Sequence, residues 1–353
     1  MCGICGSVGL ADEGVIREMT ALMAHRGPDG EGVRTFPSVD GRPPAALGHR
    51  RLSIIDPSER GAQPMSYAEG RYWITYNGEL YNYRELRREL AREGFPFSTE
   101  TDTEVLLAMY ARYGEEMLAR LNGMFAFAIW DAQDARLFLA RDRLGVKPLY
   151  YAEHAGTFVF ASEAKALLPA IGRPRMNMAA LPEYLAFLWV PEPATLFEGV
   201  MKLPPGHCAA YDSDGMSVSE WWDLSFAPER AKERAWAAAT REVVSGAIRR
   251  QMVSDVPLGS FLSGGLDSSA IVAEMTAAAG GTVSTYTVGF TQEDLSYDVV
   301  PDDLRYAREM ATAFPIDYNE RTVDPEVTAL LPRLIWHMDE PIADPAAISA
   351  YLV

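Results

Sequence analysis

The chain has 353 residues, a hydrophobic fraction of 48% and a formal net charge of −17. Its length predicts two domains, and its acidity argues against nucleic-acid binding, which needs a basic surface. Three cysteines, no signal-peptide pattern and no apolar run long enough to span a bilayer predict a cytoplasmic protein without a disulfide framework or membrane contact.

The first part of the chain is predicted to alternate between short strands and helices. The predicted strands lie at 4–10, 46–55, 72–76, 124–130, 137–141 and 158–161, and a strand pair is predicted between Gly206 and Trp221. The predicted helices lie at 15–24, 83–92 and 103–112. Asp102 is expected as the N-cap of the last of these helices, and Asn77-Gly78 is a dipeptide typical of a tight turn. The strands at 124–130 and 137–141 are expected to form a hairpin.

A charged stretch at 225–234 is typical of a linker and divides the chain into predicted domains 1–224 and 225–353. The elements predicted after it are helices at 235–252, 270–279 and 303–314 and strands at 255–262 and 285–290. This alternation favours a parallel sheet with crossover helices. A helical pattern runs to Val353 without a cap, so we expect the second domain to be incomplete at its C-terminal end.

The second residue is the first candidate for chemistry. Removal of Met1 would leave Cys2 with a thiol and a free α-amine, whose unperturbed pKa of about 7.7–8.0 suits a general base. The alternatives are a zinc half-site or a redox pair with Cys5, but no second ligand pair follows and a chain terminus is not the context of a redox pair. We expect Cys2 to be a nucleophile and Cys5 to be a small buried residue.

A thiol that attacks a carboxamide needs donors for the oxyanion that forms. Asn77 offers a side-chain amide and Gly78 a backbone N–H, although the same dipeptide also fits a plain hairpin turn. A free amino-acid substrate needs an arginine for its carboxylate and an acid for its amine. Arg51 and Asp102 are the candidates, and an N-cap alone is the other interpretation of Asp102.

Several separated motifs give the chain a resemblance to class II glutamine amidotransferases. They are MCGI at 1–4, HRGPD at 25–29, RLSIID at 51–56, NGE at 77–79 and Asp102. GMFAF at 123–127 and RDRLGVKPLY at 141–150 are similar to the asparagine synthetase branch. The resemblance implies an α+β N-terminal nucleophile hydrolase fold, an αββα sandwich, followed by an α/β parallel-sheet ATP-pyrophosphatase domain.

The resemblance also implies roles for individual residues in a glutaminase site. Cys2 would form a γ-glutamyl thioester and release ammonia, with Asn77 and Gly78 as the oxyanion hole. Arg51 would bind the carboxylate of glutamine and Asp102 its amine. The implied lining of the pocket consists of Leu52, Ser53, Ile54, Ile55 and Glu79. Residues 25–29 are either a wall of the site or a structural turn beside it.

A predicted strand at 255–262 runs into SGGLDSS at 263–269 and then into a helix. Glycines, hydroxyls and helix N–H groups in this order favour the binding of an anion. A turn with a capping side chain is the alternative interpretation. The Gly-Lys-Ser/Thr ending of a Walker loop is absent from this segment. The loop resembles the pyrophosphate-binding motif of ATP-pyrophosphatases, which implies Mg²⁺ at Asp267. The implied ATP contacts are Phe261, Ser263, Gly264, Gly265, Asp267, Ser268 and Val288.

Together these motifs imply a ligase that makes asparagine from aspartate, ATP and glutamine. A different carboxylate acceptor in a secondary pathway, or a non-catalytic module derived from the family, are the alternatives. The expected partners are these small molecules, with a homodimer as the expected assembly. Asp298 is followed by Val299, where the family carries adjacent acids. The family's next loop falls beyond Val353, so we expect an incomplete synthetase site.

Overall fold

The computed structural model describes residues 1–290, 303–323, 326–344 and 346–352. The chain divides into two compact units, Met1–Ser225 and Phe226–Val353. The predicted departure from the family pattern at Asp298 and Val299 lies outside the described residues. Among the described helices, none has the length and apolar character required to cross a membrane.

The first unit is built mainly of antiparallel strands. These are β1 (Gly3–Val8), β2 (Gly30–Phe36), β3 (Ala45–Arg51), β4 (Met65–Tyr67), β5 (Tyr72–Leu80), β6 (Gly123–Asp131), β7 (Arg136–Arg141), β8 (Tyr150–His154), β9 (Thr157–Ala161), β10 (Val200–Lys202), β11 (His207–Asp212) and β12 (Gly215–Glu220). Its helices are α1 (Glu13–Leu22), α2 (Tyr83–Arg92), α3 (Asp102–Tyr113), α4 (Leu168–Ile171) and α5 (Leu181–Phe187). The strands form two six-stranded sheets, in the orders β10-β8-β9-β1-β3-β2 and β12-β11-β7-β6-β5-β4.

Side chains on alternate faces of the strands create four layers. The inner faces of the two sheets share one core, in which Phe158 of the first sheet and Leu139 of the second are both buried. Met19 of α1 packs into a separate cluster on the outer face of the first sheet. On the outer face of the second sheet, Tyr110 of α3 stacks on Phe138 with ring centroids 5.4 Å apart. The predicted αββα sandwich of an N-terminal nucleophile hydrolase is therefore confirmed.

The second unit alternates helices and strands. Its elements are α6 (Glu233–Gln251), β13 (Gly259–Phe261), α7 (Leu266–Ala279), β14 (Val283–Phe290), α8 (Asp303–Ala313), β15 (Ile316–Val323), α9 (Val327–Met338) and α10 (Ala346–Leu352). β13, β14 and β15 pair in that order and are parallel, so the predicted parallel sheet is confirmed. Leu262, Val272 and Ala307 form the small core between this sheet and its helices.

The predicted tight turn at Asn77-Gly78 is wrong, because both residues lie inside β5. Asn77 pairs with Ala126 and Gly78 with Phe125 in the ladder with β6. A Cβ at position 78 would lie 2.4 Å from the carbonyl oxygen of Met124. The glycine is therefore required by a close approach of two strands, which is the usual meaning of glycine inside a strand.

Three further boundaries differ from the prediction. β3 ends at Arg51 because the next residues leave the ladder to form an irregular loop. The N-cap of α3 is Thr101, whose hydroxyl accepts from the backbone N–H of Glu104, so Asp102 is the first helical residue. Helix α7 begins at Leu266, four residues earlier than predicted. The strands missed by sequence reasoning are β2, β4, β8, β10 and β15, most of them short or at a sheet edge.

Phe138→Ala tests the packing of the outer helical layer on the second sheet. Phe138 is fully buried against Tyr110 and Phe127. We expect the free energy of unfolding to fall by about 3–5 kcal/mol, as is usual for truncating a buried phenylalanine. Val39→Ala, at a side chain that is 56% exposed, should change it by less than about 0.5 kcal/mol. Denaturant unfolding followed by tryptophan fluorescence measures both, and equal effects would contradict this packing.

Candidate active site

A cavity of about 230 Å³ lies beside Cys2 in the first unit. It is bordered by the loop after β3, the end of β5 and the start of α3. The structure brings all but one of the predicted glutamine-site residues together in its lining, namely Cys2, Arg51, Leu52, Ile54, Ile55, Asn77, Gly78, Glu79 and Asp102. Ser53 is the exception and does not line the cavity. Its backbone N–H donates to Oδ2 of Asp29 at 2.8 Å.

The thiol of Cys2 is half-buried and is held by the backbone of Leu52. Its Sγ accepts from the Leu52 N–H at 3.3 Å and lies 3.7 Å from the Leu52 carbonyl oxygen. Burial raises the pKa of the thiol, and the hydrogen bond from Leu52 opposes that effect only in part. A thiol in this setting needs a base to become a nucleophile.

Cys5 does not share the environment of Cys2. It is fully buried in the cluster beneath α1, and all three cysteines are free. Among the residues that the structure describes, no group of three or more histidine, cysteine, aspartate or glutamate side chains could hold a metal ion. The geometry therefore matches the expectation of a small buried residue at position 5.

Asn77 lines the cavity and has a side-chain donor that the described protein does not use. The residue is 1% exposed, and its Nδ2 has no hydrogen-bond partner. An unpaired buried amide costs free energy unless a ligand completes it. Since Gly78 has no side chain and also lines the cavity, the backbone at this point is accessible beside the free amide. The pair can stabilise a developing oxyanion.

Arg51 both lines the cavity and holds the irregular loop after β3. Its Nη1 donates to the carbonyl of Ser58 at 2.7 Å, and its Nη2 donates to the carbonyl of Asp56 at 2.5 Å. A guanidinium has five N–H donors, so these bonds leave others for a ligand carboxylate. The same side chain can therefore shape the pocket and bind a substrate.

Two carboxyl groups at the far wall have perturbed pKa values. Oδ2 of Asp102 accepts from the hydroxyl of Tyr76 and from the N–H of Leu80, each at 3.0 Å. Burial raises the pKa of Asp102 to about 6 despite these bonds. Burial and the nearby charge of Asp102 raise the pKa of Glu79 to about 7. A bound ammonium group would stabilise the charged forms of both.

Sequence reasoning missed Lys147 as a residue of this site. It is 7% exposed and lines the cavity together with Cys2 and Glu79. Its place in the RDRLGVKPLY motif was the available signal, because that motif matched the family without an assigned function. Gln63 and Thr103, which also line the cavity and are joined by a 3.3 Å hydrogen bond, had no such signal.

Residues 25–29 do not line the cavity but support it. Nε of Arg26 donates to the carbonyl of Cys2 at 2.9 Å, and its Nη1 donates to Oε1 of Glu163 at 3.0 Å. Burial alone would raise the pKa of Glu163, but the hydrogen bond and charge of Lys165, together with Arg26, hold it below its ordinary value. A buried ion-pair network therefore orients the backbone of Cys2.

The Ser/Gly loop of the second unit connects β13 to α7. Gly264 has φ of +77°, a conformation that favours glycine. The hydroxyls of Ser263 and Ser268 are 3.0 Å apart, and Ser268 also donates to the carbonyl of Gly265. The loop therefore ends at a helix N-terminus with two hydroxyls and no side-chain cap, which is an arrangement suited to an anion.

The other predicted ATP contacts surround this loop. Asp267 lies exposed in the first turn of α7, and Phe261 is 68% exposed at the end of β13. Val288 lies in the neighbouring strand β14, partly buried. The hydroxyl of Thr287 donates to the carbonyl of Leu262 at 2.6 Å and ties that strand to the start of the loop.

Comparison with known families follows the same division. Residues 1–222 match the family of the glutamine amidotransferase domain, and residues 239–353 match the family described as asparagine synthase. The two matches together define a class of enzyme. Its members join a glutamine amidotransferase domain to a synthetase domain.

The relatives narrow this class. The chain is 41% identical over 362 residues to asparagine synthetase [glutamine-hydrolyzing] 1 of Bacillus subtilis, covering 99% of this chain and 55% of that protein. It is 32% identical over 377 residues to putative asparagine synthetase [glutamine-hydrolyzing] 2 of Methanocaldococcus jannaschii, covering 100% of this chain and 71% of the relative. A solved glutamine phosphoribosylpyrophosphate amidotransferase from B. subtilis has a TM-score of 0.48 and 16% identity, covering 92% of this chain and 82% of that one. The chain belongs to the glutamine-hydrolysing asparagine synthetase family.

Asp102→Asn tests the burial of the carboxyl group at the cavity wall. The raised pKa means that the native carboxyl holds its proton more tightly than the unfolded one. Its contribution to stability is present below about pH 4 and is lost as pH rises through about 6. We expect the variant to gain stability relative to wild type over this range, by up to about 3 kcal/mol.

Unfolding free energies of both proteins from pH 4 to pH 7.5 measure this difference. Asp40→Asn is the matched control, because Asp40 is exposed in a left-handed turn that asparagine also tolerates. A difference between Asp102→Asn and wild type that does not change with pH would contradict the buried environment of Asp102.

Proposed function

We propose that this chain hydrolyses glutamine at Cys2 and supplies the ammonia to asparagine synthesis. The single observation that carries the proposal is the free amide of Asn77, buried at the wall of the cavity that holds the Cys2 thiol. A thiol next to an unused donor is suited to acyl transfer, in which negative charge develops on a carbonyl oxygen. The family relationship supports glutamine as the source of that carbonyl.

The proposed reaction begins with glutamine bound by its α-amino-acid end. Arg51 pairs with the carboxylate and Asp102 with the ammonium group, which places the side-chain amide near Cys2. The α-amine of Cys2, exposed after removal of Met1, takes the thiol proton as the sulfur attacks the amide carbon. Asn77 and Gly78 donate to the oxyanion. The proton passes to the leaving nitrogen, ammonia departs, and water then hydrolyses the γ-glutamyl thioester to glutamate.

We infer that the second unit binds ATP through its Ser/Gly loop. Backbone N–H groups at the start of α7 and the hydroxyls of Ser263 and Ser268 are suited to phosphate oxygens. Mg²⁺ usually joins one or two carboxylates to substrate phosphates, so the single exposed carboxylate of Asp267 fits a Mg²⁺–ATP complex. ATP would activate the carboxylate of aspartate as its adenylate, which ammonia converts to an amide.

Three further aspects stay predictions from the sequence. They are a cytoplasmic location, assembly as a homodimer and the absence of nucleic-acid partners. The choice of aspartate as the acceptor rests on the names of the relatives. This chain spans 55% of the length of the Bacillus protein. A screen of carboxylic acids for ammonia-dependent amidation by the gene product tests that choice against other acceptors.

Cys2→Ala tests the proposed nucleophile. We expect the variant to lose glutamine hydrolysis by about a thousandfold or more, as is usual when a nucleophile is removed. A diazo-ketone analogue of glutamine should label position 2 in wild type only, as measured by mass spectrometry, which also reports whether Met1 has been removed. Cys208→Ala is the matched control, because Cys208 is a free, buried cysteine away from the cavity. Retained hydrolysis in Cys2→Ala would refute this role.

Gly264→Ala tests the proposed phosphate loop. Alanine at φ of +77° costs about 1 kcal/mol and disturbs the backbone that faces the anion. We expect at least tenfold weaker binding of inorganic pyrophosphate by calorimetry. Gly280→Ala is the control, since Gly280 has φ of +61° at the other end of the same helix with open space around it. Equal binding by the two variants would contradict the assignment.

A further inference from the structure

We propose that Lys147 is a positioning residue of the amide-cleaving site, whose ammonium keeps the N-terminal amine beside Cys2 uncharged and so able to act as the base. The inference deepens the proposed function and rests on it. Lys147 lies 7% exposed in the lining of the cavity that contains the thiol. Nothing in the family resemblance assigned a role to this side chain.

The backbone of Lys147 is fixed to an extent unusual for a loop residue. Its N–H donates to Oδ2 of Asp142 at 3.0 Å, and its carbonyl accepts from Nε of Arg141 at 2.8 Å. The other carboxylate oxygen of Asp142 accepts from the N–H groups of Leu144 and Val146. A buried aspartate and a buried arginine therefore hold this short loop so that its lysine faces the cavity.

The ammonium group of Lys147 is not used by the protein fold. Within the described parts of the chain, its Nζ makes no hydrogen bond and no ion pair. The side chain is mostly buried and lines the cavity, so the ammonium group is placed where it can act on groups inside that cavity. Burial and the charge of Arg26 lower the pKa of Lys147, whereas Asp142, Cys2 and Glu79 oppose that shift.

The positive charge of Lys147 acts on the α-amine at the chain terminus. Burial lowers the pKa of the α-amine, the neighbouring Cys2 opposes the shift, and Arg26 and Lys147 both lower it further. A cation favours the neutral form of a nearby amine. Removal of Met1 would move the amine onto Cys2, whose thiol lines the same cavity as Lys147. The charged and titratable groups around this amine, among the described residues, are Cys2, Arg26, Asp29, Arg51, Tyr76, Glu79, Asp102 and Lys147.

Lys147→Met in the full chain tests the proposal, with kcat/KM for glutamine hydrolysis measured from pH 6 to pH 9. Without the cation the pKa of the amine should rise, so we expect the acidic limb to move up by about one pH unit. Activity then falls about tenfold at pH 6.5 and recovers at pH 9. Lys147→Arg, which keeps the charge, should restore the wild-type limb. Lys202→Met, which removes a cation that does not line the cavity, should leave the profile unchanged.

Thermal unfolding of the same proteins separates this role from a structural one. Because the ammonium of Lys147 makes no hydrogen bond or ion pair with the described residues and its stem is mostly buried, the methionine variant should melt at or above the wild-type temperature. A variant that melts well below wild type, or that loses activity equally at every pH, overturns the assignment. If the wild type itself shows no hydrolysis dependent on Cys2, the proposed function fails as well. Hydrolysis dependent on Cys2 with an unmoved acidic limb overturns the role of Lys147 alone.

Discussion

The structure of the first unit depends on the bonds that hold β1 and Cys2 in place beside the cavity. β1 lies between β9 and β3 inside its sheet, so both edges of the first strand are paired. The N–H of Ile4 donates to the hydroxyl of Ser162, and its carbonyl accepts from the Ser162 N–H. Arg26 binds the Cys2 carbonyl directly. These contacts fix the backbone of Cys2, and Leu52 holds its thiol, which is the kind of preorganisation that acyl transfer requires.

Desolvation is the second consequence of this architecture. The walls that exclude water from the thiol also raise the pKa of Cys2, Glu79 and Asp102 above their ordinary values. A neutral thiol is a weak nucleophile, so the site is unreactive until a base removes its proton. A substrate that brings a positive charge to the far wall would restore the ionised carboxylates there. The same burial therefore restrains the thiol and would strengthen the binding of a ligand that carries an ammonium group.

The sequence predicted the elements whose signal is local, such as the hairpin of β6 and β7, and the motifs that line the cavity. The predicted turn at Asn77-Gly78 was wrong, because a dipeptide typical of turns can also be required by the close approach of a neighbouring strand. That strand, β6, lies more than forty residues further along the chain. The cap assigned to Asp102 failed for a similar reason, since the hydrogen bonds from Tyr76 and Leu80 tie its carboxylate to β5. The RDRLGVKPLY motif marked the segment that contains Lys147, but the motif gave this side chain no role, because the role depends on the cavity that the residue lines. Long-range contacts are what single-sequence reasoning does not contain.

The two candidate sites differ in how their polar groups are satisfied before a ligand arrives. In the first unit, the amide of Asn77 has no partner, so the fold bears a cost that a ligand oxygen would remove. In the second unit, the hydroxyls of Ser263 and Ser268 bond to each other and to the loop backbone. An anion there must replace existing bonds, and its net gain is correspondingly smaller. Polar groups that are fixed before the reaction stabilise a charge that develops in the transition state, as catalysis requires. An adaptable loop is sufficient to bind phosphate groups, because these are already charged in solution.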